Sequence, residues 1–588
     1  MLAGILAARA AWSIPFVSDD AWISFRYAWN LVHGRGLTWN PGLEPVEGYS
    51  NLLWTLWSAL GIALGQPVGR WAVAWGAAFA LGAALGTAAC VRAAGGGRTL
   101  AWGAAVMMAA SPLMGRWMGL GLETPLFTFL MSMGCWRGMA ELSASRQGAP
   151  IRPWSALAFG LACLCRAEGP LYLAVPLLFA LSRGRQLGRY ELKTLALAAA
   201  PVALQLLARI LYYGELVPNT ARAKVGGNLA VEAMTGLRYL AAGLSYNPLL
   251  SATVGVGVLG VLAFGRHALP LLAPGLVVSA FVVAVGGDQF SDMRFLLPAL
   301  PAALAAAAVG WTSLARRAGR LAPAVLVVGL GLSLGAAIED SRITSVNVAR
   351  AEREQGGPGS ADGRPPLPWK QLSPPWAEVG KGPLWWTGAP VQAQPLWSVH
   401  WFYAYLMENL RPGEAFFFQE VGLIGYVLVD STLLDGRGLT WRPAVDLSRS
   451  KMPGTSLAEQ REARTAFLAA FEEQAPAIVF LQCTEEGFFG PSEEVLLESE
   501  SFRSNYTFVA WGPYFANRQI CAFRREGAGR PSYRETIERY VRMEEDAPDE
   551  LDWADRRLAI ERRRAIPVEQ IHGSKAPPFV LSRRAGSW

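Results

Sequence analysis

Charge is what this sequence has least of. Only 17% of its 588 residues are Asp, Glu, Lys or Arg, against 52% hydrophobic, a balance that excludes an ordinary water-soluble chain. Histidine is nearly absent: His33, His267, His400 and His572 are the four, too scattered to ligate a metal together. The six cysteines show no zinc-finger spacing. Cys90, Cys135, Cys163 and Cys165 lie in or beside apolar runs and read as small packing residues. Cys483 and Cys521 sit in the strand-like segments IVFLQC and QICAF, and spacing leaves open whether they pair in an oxidising compartment. Also missing is any Lys/Arg-dense run with interleaved aromatics, so the net charge of +7 does not point to nucleic acid. Cationic loops facing anionic headgroups account for it.

What the sequence has instead, up to about residue 338, is a series of Ala/Leu/Val/Gly/Trp-rich runs with short charged loops between them. From Glu339 onward, charge, Pro and turn residues resemble a water-soluble domain. The expected fold is a polytopic α-helical membrane domain (1–338), a linker (339–396) and a C-terminal soluble α/β domain (397–588). Residues 2–17 read as a short first span rather than a signal peptide, having a single Arg9 and no basic start. Further apolar candidates fall near 51–66, 71–91, 100–115, 121–137, 154–165, 169–182, 194–213, 249–265, 269–286, 295–312 and 321–338. Loops carrying Arg137, Arg146 and Arg152, then Arg183 to Lys193, Arg266, and Arg316 to Arg320 read as cytoplasmic. The opening loop 17–51, the stretch 212–248 and the soluble domain then face outward, provided that 51–66 does not cross. Its Trp54 and Trp57 suit an interfacial or re-entrant helix, which leaves about eleven crossings of roughly 20 residues each. A surface-lying helix is expected near 231–243. In the soluble domain, PGEAFFFQEVGLIGYVLVDSTLLDG reads as two strands around a turn, PAIVFLQC and YTFVAWG as further strands, and 455–474 as a helix. The charged tail beyond residue 532 has helical spacing.

Ionisable residues at a membrane edge are costly to place and mark function. The outward loops gather carboxylates (Asp19, Asp20, Glu47, Glu123, Glu168, Asp288) and cations (Arg26, Arg166, Lys224, Arg294), together with Asn219. A carboxylate there can take a proton from an acceptor hydroxyl, and cations can hold a leaving phosphate as its charge develops. Asp19 is favoured narrowly over Asp20 as the base. Taken alone, the Asp pair equally suits a helix N-cap, and Arg166 and Glu168 suit a mutual ion pair.

The segment DDAWISFRYAWNLVHGRGLTWNPGLEPVEGYSNLLW resembles the opening of bacterial C-type (GT-C) membrane glycosyltransferases, especially the mycobacterial terminal arabinofuranosyltransferase group. GLETPLF, CRAEGPLYL, YYGELVPNTARAK, GGDQFSDMRFLLPALP and GEAFFFQEVGLIGYVLVD extend the resemblance in order. It implies transfer of a sugar, arabinofuranose or another pentose or hexose, from a polyprenyl-phosphate donor. The acceptor would be an envelope glycan, lipid or protein at the outer face of the bacterial inner membrane, and the reaction would run with or without a divalent cation. By position, Asp19 and Asp20 match the family's acidic pair, while Arg166, Lys224 and Arg294 fall in motifs that contact the donor. The DQFSDMRF segment is more polar and acidic than the family's pattern. A transporter or flippase of lipid-linked sugars is the alternative, although no internal repeat of the kind such proteins carry is evident. A glycan-binding scaffold without activity is a third.

Overall fold

The computed structural model describes residues 17–332 and 406–527, apart from 183–187, 225–228, 289–292, 326, 330, 407–408, 412, 452–454, 485–486, 489 and 514–518. The expected first span at 2–17, the linker and the charged tail lie outside the described residues.

The amino-terminal part is helical. Among the described residues, four stretches are long and apolar enough to cross a bilayer: Val68–Ala93, Arg189–Tyr213, Arg266–Val285 and Arg294–Val325. A fifth is added if Leu229–Ser245 and Pro248–Phe264, bent by 99° at their junction, count as one. The sequence expectation of about eleven crossings is larger because several of its apolar runs fold as shorter helices. Trp154–Cys163 and Gly169–Leu181 are two of these; Leu52–Ala63, read from the sequence as not crossing, is short as well, its twelve residues spanning roughly 18 Å at 1.5 Å per residue, below the hydrocarbon core. Leu229–Tyr246 is the helix expected near 231–243.

Small residues set how closely these helices pack. We label Asp19–Val32 α1, Leu52–Ala63 α2, Val68–Ala93 α3, Thr124–Arg146 α4, Arg189–Tyr213 α5, Pro248–Phe264 α6 and Leu300–Ala318 α7. Where α6 crosses α7, a Cβ on Gly310 would collide with the carbonyl oxygen of Gly257. The backbones are therefore in direct contact, as in membrane helix pairs held by dispersion rather than by exclusion of water. The outer helix α5 exposes Leu204, Leu207 and Leu211, an apolar face suited to acyl chains.

The carboxy-terminal part is a six-stranded sheet in the order β2-β1-β3-β6-β5, with β4 pairing β3. The strands are β1 (Ala415–Phe418), β2 (Thr432–Asp435), β3 (Ile478–Thr484), β4 (Gly487–Phe488), β5 (Tyr506–Pro513) and β6 (Gln519–Arg525). Its helices are α8 (Gly422–Val427), α9 (Arg442–Ser450), α10 (Leu457–Gln474) and α11 (Pro491–Glu498). The expected strands at 478–484 and 506–513 and the helix at 457–474 are present, the helix opened by a Ser456–Glu459 capping box. One reading is corrected. β1 and β2 pair in parallel rather than as a hairpin, and GLIGYV between them is the helix α8. Parallel strands need a crossover of about a dozen residues, and an apolar run this short does not reveal its period. The β3–β6 register sets Cys521 opposite Leu481 and Cys483 opposite Gln519. The two cysteines are thus diagonal neighbours, typically about 7–8 Å apart, beyond the usual Cα separation of a disulfide.

Candidate functional site

Helix α1 is the hinge between the two parts. It carries two acids in its first turn, Asp19 and Asp20, which complement the positive end of the helix dipole. Every residue from Ala21 to Ala28 is buried. The loop after it is drawn back by Tyr27, whose hydroxyl donates to the Val46 carbonyl (2.6 Å) and accepts from the Gly48 N–H (2.9 Å).

Asp19 and Arg26, seven residues apart, lie on one side of α1 and grip the two ends of α8. Asp19 accepts the free N–H groups at the start of α8, Oδ2 from Gly422 (3.1 Å) and Oδ1 from Leu423 (2.8 Å). At the other end Arg26 donates to the carbonyls of Gly425, Leu428 (3.3 Å) and Ser431 (2.9 Å), and within its own loop to Trp39 O (2.8 Å) and Asn40 Oδ1 (3.1 Å). These are the unsatisfied termini of a helix, met by an acid at the positive end and a cation at the negative end. The approach requires glycine: a Cβ at Gly422 would strike the Asp19 backbone, and one at Gly425 the Trp39 ring at 2.6 Å. Burial and the neighbouring Glu420 push the Asp19 carboxyl up to about 7. Burial lowers Arg26 to about 9. Arg26, expected among the donor-binding cations, therefore has all five N–H groups engaged in joining the two parts of the chain. Asp19, the favoured base, has both oxygens engaged by backbone N–H groups. Asp20, in the same turn, is half-buried.

Two other expected residues join this seam. Glu47 is buried against Arg209 of α5, with an Nη2–Oε1 contact of 3.1 Å. The Asn219 amide donates to the carbonyls of Gly438 and Leu439 (3.0 Å to the latter). The side chain of Lys224 lies outside the described residues.

The remaining candidates meet in a polar network behind α1. Ser24 Oγ and Thr55 Oγ1 donate to Asn51 Oδ1 (2.9 and 3.1 Å), and Asn51 Nδ2 donates to Glu123 Oε2 (2.9 Å). Glu123 also pairs with Arg166 Nη1 (2.6 Å), whose Nε pairs with Glu168. Beside them Arg294 holds Asp288 through two bonds of 2.9 and 3.0 Å. The two guanidiniums share the Phe295 ring, 5.1 Å from Arg166 and 5.5 Å from Arg294, which also lies 5.5 Å from Trp117.

Local sequence explains these positions. Glu123 immediately precedes α4 in GLETP, with Pro125 in the first turn and Gly121 at φ +73°. In CRAEG, Gly169 turns so tightly that a Cβ would overlap the Cys163 carbonyl. Met293, buried with φ +49°, sets the start of the turn that aims Arg294, a costly backbone state of the kind held at functional sites. Burial would raise the Glu123 carboxyl, but Arg166, Arg294 and the Asn51 amide outweigh it and hold it below its ordinary value. Sequence reasoning did not single out Ser24, Asn51 or Arg209; short polar residues and a lone Arg in an apolar run carry no periodic signal.

Chemically, the network joins three carboxylates (Glu123, Glu168, Asp288) and two guanidiniums and reaches α1 at Ser24, one helical turn along from Asp20. Arg166 engages Nε and Nη1, and its Nη2 edge makes no hydrogen bond among the described residues, so it can face an anionic oxygen. Among the described residues no group of three or more His, Cys, Asp or Glu is arranged to hold a metal ion.

No family model matches the chain, and no curated protein matches its sequence. Solved structures do match. ArnT from Cupriavidus metallidurans in the apo state aligns over 88% of this chain and 96% of its own, with 15% identity and a TM-score of 0.50. The oligosaccharyltransferase AglB from Archaeoglobus fulgidus, in complex with an inhibitory peptide and a dolichol-phosphate, aligns over 88% of this chain and 74% of its own, with 13% identity and a TM-score of 0.46. The likeness to ArnT shows that the chain has a GT-C membrane fold; it does not extend to the arabinofuranosyltransferase group in particular.

Proposed function

We propose that the protein is a glycosyltransferase that moves one sugar from a polyprenyl-phosphate donor to an acceptor hydroxyl at the outer face of the inner membrane, with its α/β domain on the same side. Asp20 is the base. It takes the acceptor's proton while the acceptor oxygen forms its bond to the anomeric carbon and the bond to phosphate oxygen breaks. Arg166 and Arg294 receive the charge that develops on the departing phosphate. The observation that carries this reading is the joining of Glu123, Arg166 and Glu168, with Asp288 and Arg294 beside them, into one buried ionic network against α1. Such a network is costly at a membrane edge unless it serves chemistry. The GT-C fold supports it, since catalysis on this fold uses an acidic first loop, as the opening-loop resemblance implies.

Asp20 takes precedence over Asp19 because it stands one turn before Ser24, the residue of α1 that the ionic network reaches through Asn51. Glu47, Asn219 and Arg26 are assigned to holding the α/β domain and the opening loop in place, and act on the donor only through that geometry. Extracting the purified protein and identifying co-purified lipids by mass spectrometry tests the donor class. A polyprenyl-phosphate sugar is expected, and turnover of radiolabelled polyprenyl-phosphate pentoses and hexoses should depend on Arg166. A preparation that transfers none of them, nor hydrolyses any, would overturn the reading.

A further inference from the structure

Helix α2 is too short to cross the membrane, yet its first turn holds three separate segments of the proposed site together. Asn51 is buried and stands at the N-cap of α2, where an asparagine side chain ordinarily accepts from the free N–H groups of its own helix. It makes no such bond here. Instead its Oδ1 accepts from Ser24 on α1 (2.9 Å) and from Thr55 (3.1 Å), while its Nδ2 donates to Glu123 Oε2 (2.9 Å). The free N–H of Leu53 is met from outside, by the carbonyl of Leu164 (3.1 Å), which closes the helix Trp154–Cys163 two residues before Arg166. Trp54, fully buried, donates its Nε1–H to the carbonyl of Gly121 (3.0 Å), two residues before Glu123.

Residues 51–54 therefore bind α1 one turn beyond Asp20, the 121–123 turn that ends in Glu123, and the 164–168 turn that carries Arg166 and Glu168. The partners of the Asn51 amide fix its orientation. Turned over, it would set Oδ1 against the Glu123 carboxylate, two acceptors face to face. Charge explains why this position is neutral. Glu123, Glu168 and Asp288 already pair with only Arg166 and Arg294, so these pairs hold one acid more than bases, and an anion added at 51 would bring repulsion without a counter-charge.

We propose that Asn51 is a positioning residue for sugar transfer, registering the acid-bearing end of α1 against the Glu123–Arg166 pair; the inference rests on the glycosyltransferase reading. Asn51 acts through Ser24 and Glu123, to which its side chain is bonded. An aspartate in its place separates this role from packing, because the protonated acid reproduces the amide's donor and the ionised acid opposes Glu123. The charged groups that face Glu123 are Arg166 and Arg294, with Glu168 and Asp288 paired to them. Cys165, also beside Glu123, is pushed up by burial and stays a neutral thiol. On the other side of residue 51, Ser24 and Thr55 are neutral. Glu123 is held below its ordinary value, so the Asn51–Glu123 contact gives the parent no pH step near neutrality.

The test compares Asn51→Asp with the parent in nanodiscs from pH 5 to pH 8, reading transfer from radiolabelled polyprenyl-phosphate pentoses and hexoses and, separately, the thermal midpoint. Two carboxylates in contact share a proton, so the upper apparent pKa of the pair rises above the ordinary carboxylate range. The variant keeps its bond to Glu123 below that value and loses it above. Transfer relative to the parent should match at pH 5 and fall about ten-fold or more by pH 8, the effect of losing one hydrogen bond to a charged group. The midpoint relative to the parent should fall over the same range. A role confined to packing would shift both by the same amount at every pH, and a folded variant with such a flat transfer ratio would overturn the inference. If Asn51→Asp does not fold, Ser24→Ala combined with Thr55→Val decides, since it frees the amide to turn over without adding charge. Its transfer per folded molecule should drop about ten-fold, and parental transfer would overturn the inference. A parent that transfers no sugar would sink the glycosyltransferase reading; the midpoint difference then decides whether Asn51 holds Glu123, and a flat difference overturns that.

Discussion

Replacing Arg26 tests whether the opening helix and the α/β domain are locked together as the geometry indicates. Three of its five hydrogen bonds cross to the carbonyls of Gly425, Leu428 and Ser431. A hydrogen bond from a charged group contributes about 1.5–3 kcal/mol, so the crossing bonds sum to roughly 4–6 kcal/mol after allowance for the longest of them. Arg26→Met keeps most of the side chain's volume and removes every donor. At about 1.4 kcal/mol per factor of ten, opening of α8 should become on the order of a thousand-fold more populated. Hydrogen exchange followed by mass spectrometry on peptides covering 419–435 reads that opening directly, since amide protection tracks local opening free energy. Arg26→Lys keeps the charge but supplies three donors from one point and should recover only part of the protection. An Arg26→Met protein whose 419–435 amides exchange within about ten-fold of the parent, a difference of about 1.4 kcal/mol, would refute the clamp and restore Arg26 to the donor-binding cations.

The same clamp should respond to pH. Asp19 titrates near 7 in the folded chain against about 3.9 when unfolded, so its contribution is complete below about pH 4 and is lost as pH rises through 7. Glu493, raised by burial to about 7, acts in the same direction; thermal midpoints should fall from pH 5 to pH 8, less steeply in Asp19→Asn, and a rise over that range would contradict the assignment. Glu123→Gln leaves Arg166 buried with half its partners and should cost about 3–5 kcal/mol together with most of the transfer activity; since Glu123 stays ionised at neutral pH, the parent's activity should show no step from this group between pH 6 and 8. Gly310→Ala forces α6 and α7 apart and should cost about 1–3 kcal/mol, read as a lower thermal midpoint in detergent. Gly255→Ala, on α6 with open space around it, should be neutral or stabilising.

Sequence motifs announced the ionic network well, because its members sit beside local punctuation. Glu123 lies between Gly121 and Pro125, Arg166 and Glu168 stand before Gly169-Pro170, and Arg294 follows a Gly-Gly turn by a few residues. Such stretches read as loops whatever the rest of the chain does, and acids and bases placed in outward loops were candidates for that reason. The roles of Asp19 and Arg26 were not legible, since their partners are backbone groups some four hundred positions away and a peptide N–H has no sequence signature. Helix α8 was hidden for a related reason: GLIGYVLVD is apolar and too short to show a period, and its helical state depends on capping from α1. The alternation of strands in the α/β domain was readable from PAIVFLQC and YTFVAWG, whereas the parallel pairing of β1 with β2 depended on that hidden helix. Runs such as 154–165 and 169–182, counted as crossings, fold among the described residues as helices shorter than a span, and composition alone does not show where such a helix ends.

The central claim is that Asp20, rather than Asp19, removes the acceptor proton. Sugar transfer from a polyprenyl-phosphate donor, measured for purified Asp20→Asn and Asp19→Asn proteins in nanodiscs at matched folding, tests it most directly. Loss of a general base lowers the rate by about 10²–10⁴-fold. A loss of that size is expected for Asp20→Asn, while Asp19→Asn should keep transfer within about ten-fold of the parent, in line with the cost of one weakened helix-end hydrogen bond. Full activity in Asp20→Asn, with transfer abolished in a folded Asp19→Asn protein, would contradict the account.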